Sequence, residues 1–243
     1  MPRKTNYYLN ERKRLDDIAK DFSMGKDFNA KLEKYKLIKI REDAKNGEIL
    51  EVGCADGFLT KGLARYFKHI TAIDASKKLI EKAKKHNLNN VIYKQTLFER
   101  FVPEFKFDTI ILAEILEHVI NPSQLLKLSR EWLKEDGAII IISPNAYSIH
   151  RQIGKLANML KDIHDLNKTD IGVGHRRVYD HKLMAKDITN AGLKILKADG
   201  IFFKPLSNEQ MNTLNQKTID AFFEIGKKFP PEFLAQLYFV CGK

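Results

Sequence analysis

Three histidines, His118, His150 and His175, fall where the sequence predicts loops or strand edges. Histidine is the side chain whose ordinary pKa lies close enough to neutrality to carry protons at physiological pH. His118 follows Glu117, and His175 runs straight into Arg176 and Arg177, a pair suited to gripping phosphate or carboxylate in bidentate geometry. A second group is built on Ile49-Leu50-Glu51-Val52-Gly53-Cys54-Ala55-Asp56-Gly57-Phe58, an apolar strand that enters a glycine loop and then a helix. Gly53 and Gly57 let the chain turn sharply and let a ligand come close. A dinucleotide loop reads G-x-G-x-x-G, its second glycine closing on a pyrophosphate. Here Ala55 stands at that position and Phe58 follows Gly57. The loop therefore suits a nucleoside-type ligand without a diphosphate. Asp74 ends the next predicted strand, roughly 20 residues after Gly53, where an acid accepts hydrogen bonds from both ribose hydroxyls of an adenosine.

These residues need an open α/β sheet to bring them together. Apolar spacing predicts helices over residues 1–45, broken at Ser23-Met24-Gly25-Lys26. Strands are predicted at 48–53, 69–74, 91–93, 107–113, 138–143, 194–204 and 235–241, with helices at 57–67, 76–87, 123–134 and 181–191 and a helical insertion at 207–229. The run Phe107 to Ala113 is almost wholly apolar, as a central parallel strand is. Residues 146–180 interrupt the alternation and carry His150, His175, both arginines and Tyr179, the makings of a substrate lid on the carboxyl edge.

The loop and the run Phe107-Asp108 through Leu116-Glu117-His118-Val119 to Asn121-Pro122 resemble the class I S-adenosylmethionine-dependent methyltransferases, in particular small-molecule enzymes of ubiquinone and sugar or polysaccharide pathways. Ala55 departs from the family's middle glycine. The resemblance covers most of 46–145 by motif and the rest by element order. It implies a Rossmann-like α/β fold, with a seven-stranded, mostly parallel sheet, an antiparallel last strand and helices on both faces. It implies an N-terminal helical lid at 1–45, a cofactor core at 46–145, a substrate lid at 146–180, and a C-terminal part, 181–243, completing the sheet. S-adenosylmethionine would lie against Glu51, Gly53, Cys54, Ala55, Asp56, Gly57, Asp74, Ala75, Thr96, Leu97, Ala113 and Glu114. The family's usual acid for the adenine amino group is missing after the third strand, so Thr96, Leu97 or Gln95 takes that contact. His118, His175 and His150 are the candidate bases, and Tyr7, Asn145, Arg176, Arg177 and Tyr179 the candidate acceptor contacts. No metal is expected, since the Asp and Asp-Asn pattern of catechol-type enzymes is absent and no cysteine–histidine cluster has zinc spacing.

A net charge of +11 over 243 residues implies attraction to anions, although the lysines are spread along the chain. No Asn/Asp-Pro-Pro-aromatic run marks a base-amine methylase, and neither cysteine sits in a Pro-Cys or Thr-Cys setting. A small, polar, phosphorylated or sugar-linked acceptor is thus preferred to nucleic acid, with oxygen preferred to nitrogen as nucleophile. RNA methylation and a non-catalytic cofactor-binding subunit stay open as rivals. No apolar run is long enough to span a membrane. Two cysteines and a polar N-terminus lead to the expectation of a cytoplasmic protein. The oligomeric state is not legible.

Overall fold

The computed structural model describes the backbone of residues 2–19 and 28–243, and the side chains of 10–19 and 28–243. The break expected at Ser23-Met24-Gly25-Lys26 and the side chain of Tyr7 lie outside these. Helices α1 (Pro2–Ile18) and α2 (Phe28–Asp43) precede β1 (Glu48–Val52), α3 (Phe58–Leu63), β2 (His69–Asp74), α4 (Lys77–Lys84), β3 (Val91–Gln95), β4 (Phe107–Ala113), α5 (Pro122–Trp132) and β5 (Leu133–Pro144). Then come α6 (Ile149–Leu156), α7 (Lys168–Gly172), α8 (His181–Asn190), β6 (Lys194–Ile201), α9 (Asn208–Asn212), α10 (Gln216–Gly226) and β7 (Gln236–Gly242).

The seven strands form one sheet in the order β3-β2-β1-β4-β5-β7-β6. Strands β1 to β5 pair in parallel, and β7 runs antiparallel to both β5 and β6. The central strands are apolar on both faces because helices cover both: Ile139, Ile140, Ile141 and Ile142 are all fully buried. One core packs Leu50, Ile110 and Leu112 with Leu125 and Trp132 of α5 and Met184 and Ile188 of α8. The other packs Ile49, Ile111 and Ile140 with Phe28 and Tyr35 of α2 and Phe223 of α10. Strand order reverses between β1 and β4, the switch point where such sheets bind ligands at their carboxyl ends.

Two differences from the expected elements have local causes. Strand β5 starts at Leu133 instead of 138, because Leu133 pairs with Phe107 across a register irregularity between Phe107 and Thr109. Gly137 fits that irregularity because a Cβ there would lie 2.7 Å from Leu133 Cδ1. Residues 146–180, expected as an irregular loop, contain α6 and α7, and the bridge between Asn145 and Tyr179 draws the segment's two ends together. Among the described residues no helix is long and apolar enough to cross a membrane.

Candidate active site

The glycine loop closes through left-handed backbone at three positions: Gly53 (φ 79°), Ala55 (φ 49°) and Gly57 (φ 80°). The amides of Gly53 and Cys54 both donate to the carbonyl of Ile73, at 2.8 and 3.1 Å, tying the loop to the tip of β2. A Cβ on Gly53 would meet Ile115 Cδ1 at 2.7 Å, so the loop needs glycine there for space as well as for conformation. Ala55 adopts the backbone that a glycine would take, at about 1–2 kcal/mol for an L-residue. Its amide donates to Asp74 Oδ2 at 3.0 Å, which helps to hold it there.

Asp74 also accepts from the amide of Ser76 at 2.8 Å. Burial pushes its carboxyl up to about 6, against these two backbone hydrogen bonds. Each carboxylate oxygen keeps a second lone pair for a ligand hydroxyl. Glu51 is buried and accepts from Thr60 Oγ1 at 2.6 Å, and burial pushes it up to about 8.

Two cavities flank the loop. The first, of about 160 Å³, lies between Asp74, Ala75, Leu79, Thr96, Leu97 and Phe98 on one side and Glu11, Arg14, Leu15 and Ile18 of α1 on the other. Gln95, expected as an adenine contact, instead donates its side-chain amide to the carbonyl of Ala75 at 2.9 Å. Glu99 lines this cavity and is an acid that motif comparison did not find. The second cavity, of about 380 Å³, is lined by Glu51, Cys54, Asp56 and Ala113 and by Asn145, His150, His175 and Lys204. The two share Gly53, Ala55, Glu114, His118 and Val173. Gly57 lines neither: it packs on α4, where a Cβ would lie 2.9 Å from that of Ala83.

Glu114 ends β4 in left-handed backbone (φ 52°), which aims its side chain between the cavities. Its carboxylate accepts from Gln236 Nε2 at 2.6 Å and pairs with Lys36 Nζ at 2.6 Å. Lys36, 2% exposed, also pairs with Glu33 at 2.5 Å. Burial alone would raise Glu114, but Lys36 holds its pKa below the usual value. Glu33 and Lys36, both buried, belong to no motif that singles them out in the sequence.

His118 and His175 meet edge to face, with ring centroids 4.7 Å apart. Burial and His175 pull His118 down to about 4, leaving it neutral at pH 7. His175 Nδ1 lies 3.1 Å from Asp170 Oδ1, and Asp170 pairs with Arg151 at 3.2 Å. Burial would lower His175, but Asp170 raises it and orients the ring with Nε2 available. Glu117 is 1% exposed; Ser143 Oγ donates to its Oε2 at 3.2 Å, while Oε1 is buried without a partner. Burial pushes Glu117 up to about 7. One ligand atom from each of Glu117, His118 and His175 lies within 4.8 Å of the others. A carboxylate and two imidazoles form a donor set that holds divalent cations, and the contact between Asp170 and His175 is the kind of carboxylate support such ligands have. The expectation of no metal came from motif spacing, which does not register that the fold brings His175 beside Glu117 and His118.

The proposed acceptor residues divide. Asn145 lines the second cavity and is held by hydrogen bonds from its Nδ2 to the carbonyls of Glu232 (2.8 Å) and Leu234 (2.7 Å). Arg176 and Arg177 line neither cavity. Arg177 donates to the carbonyls of Leu116 at 2.7 Å and Val119 at 2.6 Å, and Arg176 to that of His118 at 2.9 Å and to Glu11 at 3.0 Å. They clamp the turn that carries Glu117 and His118. Tyr179 is buried, and its hydroxyl donates to Asp187 at 2.8 Å, away from the cavities. His150 reaches the second cavity, pulled down to about 3 by burial and by Lys204.

A family profile described as a methyltransferase domain matches residues 28–198. The ubiquinone biosynthesis O-methyltransferase of Pseudoalteromonas translucida (strain TAC 125) is 31% identical over 180 residues, covering 68% of this chain and 72% of that protein. The protein of the same description from Pelagibacter ubique (strain HTCC1062) is 35% identical over 114 residues, spanning 46% of this chain and only 48% of the relative. Among solved structures, the N-methyltransferase NodS from Bradyrhizobium japonicum WM9, in complex with S-adenosyl-L-homocysteine, superposes with a TM-score of 0.61 at 15% identity, covering 96% of this chain and 97% of NodS. At that identity the likeness shows the fold.

Proposed function

The chain belongs to the methyltransferase-domain family, and from that premise we propose that it transfers the methyl group of S-adenosylmethionine to a hydroxyl of a small polar acceptor. The observation that carries this is the junction of two cavities at Gly53, Ala55, Glu114 and His118. One cavity has a ribose-binding acid, and the other opens on a neutral histidine.

Bound S-adenosylmethionine supplies a methyl group already activated on a sulfonium. The chain has to bind, orient and keep water out. In the first cavity Asp74 would accept the ribose hydroxyls, Leu79 and Leu97 would enclose the adenine, and Glu99 or the Thr96–Leu97 backbone would read its edge. Helix α1, with Leu15 and Ile18 facing that cavity, would act as the lid. In the second, Lys36 and Glu33 are placed to pair with the carboxylate and ammonium of the methionine end, along Cys54 and Asp56. Positioning of this kind can account for roughly 7–11 kcal/mol of barrier. His118, held neutral, would accept the proton of an acceptor hydroxyl, with Glu117 and His175 beside it. In a second reading, the same three residues would instead hold a divalent cation, with His118 a ligand and not the base, and the cation's charge would favour the ionised hydroxyl.

The polar side chains among those lining the second cavity, Asn145, His175 and Gln236 included, support a hydroxyl-bearing acceptor, such as a sugar-linked precursor of a surface polysaccharide, over an apolar quinone. Both cysteines are buried thiols, in keeping with a cytoplasmic setting. The test is transfer of labelled methyl from S-adenosylmethionine into a panel of sugar nucleotides, phosphorylated amines and bulk RNA. Label in a sugar nucleotide supports the proposal. Label in RNA alone, or cofactor binding with no transfer to any member, overturns it.

A further inference from the structure

Helix α1 forms one wall of the first cavity with Glu11, Arg14, Leu15 and Ile18. None of its described side chains belongs to either of the two cores that flank the sheet. Polar bonds fasten it instead. Near its C-terminal end, Ser76 Oγ donates to Asp16 Oδ1 at 2.5 Å, and Lys82 Nζ donates to the carbonyl of Ala19 at 3.3 Å. Earlier in the helix, Glu11 accepts from Arg176 Nη2 at 3.0 Å and from Arg14 Nη2 at 2.7 Å. The two arginines keep the Glu11 carboxyl below its ordinary range, against the burial that would raise it.

Arg176 is where α1 meets the turn that carries Glu117 and His118. Its amide donates to the carbonyl of Glu117 at 2.8 Å and its Nε to that of His118 at 2.9 Å, while Nη2 reaches Glu11. A guanidinium is rigid and planar, so a carboxylate held on one nitrogen fixes the direction of the others. Gly174 makes a second link. Its left-handed backbone (φ 86°) turns a bare face to α1, where a Cβ would lie 2.5 Å from Ile18 Cδ1 and 3.0 Å from Arg14 Nη1. The ring of His118 hydrogen-bonds to the backbone of that same glycine. The helix thus reaches the His118 carbonyl through Arg176 and the His118 ring through Gly174.

An ion pair as open as Glu11 with Arg176, whose side chain is 30% exposed, contributes little by itself. The cavity beneath the helix supplies the rest. Leu15 and Ile18 share it with Leu79, Leu97 and Val119, and a nucleoside filling that space would bury apolar surface on both sides. We propose that α1 couples the two cavities: bound cofactor holds the helix down, and the helix, through Glu11, Arg176 and Gly174, positions His118 for the acceptor. Binding is then ordered, cofactor before acceptor. Arg176, which lines neither cavity, is a positioning residue that acts through His118. This assignment rests on the methyl-transfer reading of the site and adds a regulation to it.

The test takes S-adenosylhomocysteine as the probe on wild type, Glu11→Ala, Arg176→Met and the double variant. Its release is followed by stopped flow. Hydrogen exchange in the saturated protein is followed at the amides of His118 and Val119, which donate to the carbonyl of Ile115 at 3.0 and 3.3 Å. Expected is release faster by at least about threefold in each single variant. The double variant should be no faster than either single one, because both changes break one link. Exchange at His118 and Val119 should rise in Glu11→Ala as in Arg176→Met, although of the two residues only Arg176 bonds to that turn. Wild-type exchange there in Glu11→Ala, or a double variant whose release rate multiplies the two single effects, overturns the coupling while leaving cofactor binding intact. Failure of S-adenosylhomocysteine to bind wild-type protein would instead remove the methyltransferase reading beneath it.

Discussion

Replacing Asp74 by asparagine probes the ribose contact with little change of shape. In the wild type the carboxylate accepts from the amides of Ala55 at 3.0 Å and Ser76 at 2.8 Å, leaving a lone pair on each oxygen for a ribose hydroxyl. An asparagine keeps one such oxygen and presents an NH2 group in place of the other. One charge-assisted hydrogen bond to the ligand is lost, at roughly 1.5–3 kcal/mol, or about 10- to 150-fold in affinity. The pH dependence sharpens the test. Burial has raised the carboxyl to about 6, and the ribose hydroxyls donate to its ionised form, so binding is linked to deprotonation. Wild-type affinity should be level above pH 6 and fall by up to about tenfold per unit below it; Asp74→Asn should be weaker and flat across that window. In the ligand-free protein the sign is opposite. Stability contributed by protonated Asp74 is fully present below the ordinary carboxylate range and is lost as pH rises through about 6. The asparagine variant should therefore fold at least as well at neutral pH. The assay is calorimetric titration of S-adenosylhomocysteine between pH 5 and pH 8, with thermal unfolding alongside. An unchanged affinity, or the same pH slope in the variant, would refute the ribose assignment.

Two further outcomes concern the loop and the histidines. Ala55→Gly relieves a left-handed alanine (φ 49°) and should stabilise the protein by about 1 kcal/mol, near 2–4 °C in Tm; a lower Tm by calorimetry would mean that the alanine methyl contributes packing that outweighs its strain. If the three residues hold a cation, chelation with EDTA should lower turnover without changing S-adenosylhomocysteine affinity, and added Mg²⁺, Mn²⁺ or Zn²⁺ should restore it. Turnover unaffected by chelation would rule out the metal and return proton removal to His118 alone.

Much of the fold was legible because long-range order in an open α/β sheet is written in local patterns. The apolar run of β4 and the His69–Asp74 run of β2 gave those strands to the residue. The start of β5 was hidden, since Glu135-Asp136-Gly137 reads as a turn and only its partner strand reveals the irregularity. The same division holds in the site. Gly53, Ala55, Asp74 and Glu114 belong to short motifs at the ends of β1, β2 and β4, and all line the cavities. Lys36, Lys204 and Gln236 arrive from helix α2, from the segment after β6 and from β7, with no spacing to announce them. Arg176 and Arg177 misled for a physical reason: the guanidinium that suits a phosphate suits the carbonyls at the end of a helical turn equally well, and composition does not distinguish the two.

One ligand is expected to pass from the first cavity to the second at Gly53, Ala55 and Glu114. A crystal structure with bound S-adenosylhomocysteine tests it most directly. Expected are the ribose on Asp74, the amino-acid end beside Lys36 and Glu33, and the sulfur at the junction, facing Glu117, His118 and His175. A sulfur turned away from those residues, or a ligand confined to the first cavity, would contradict it.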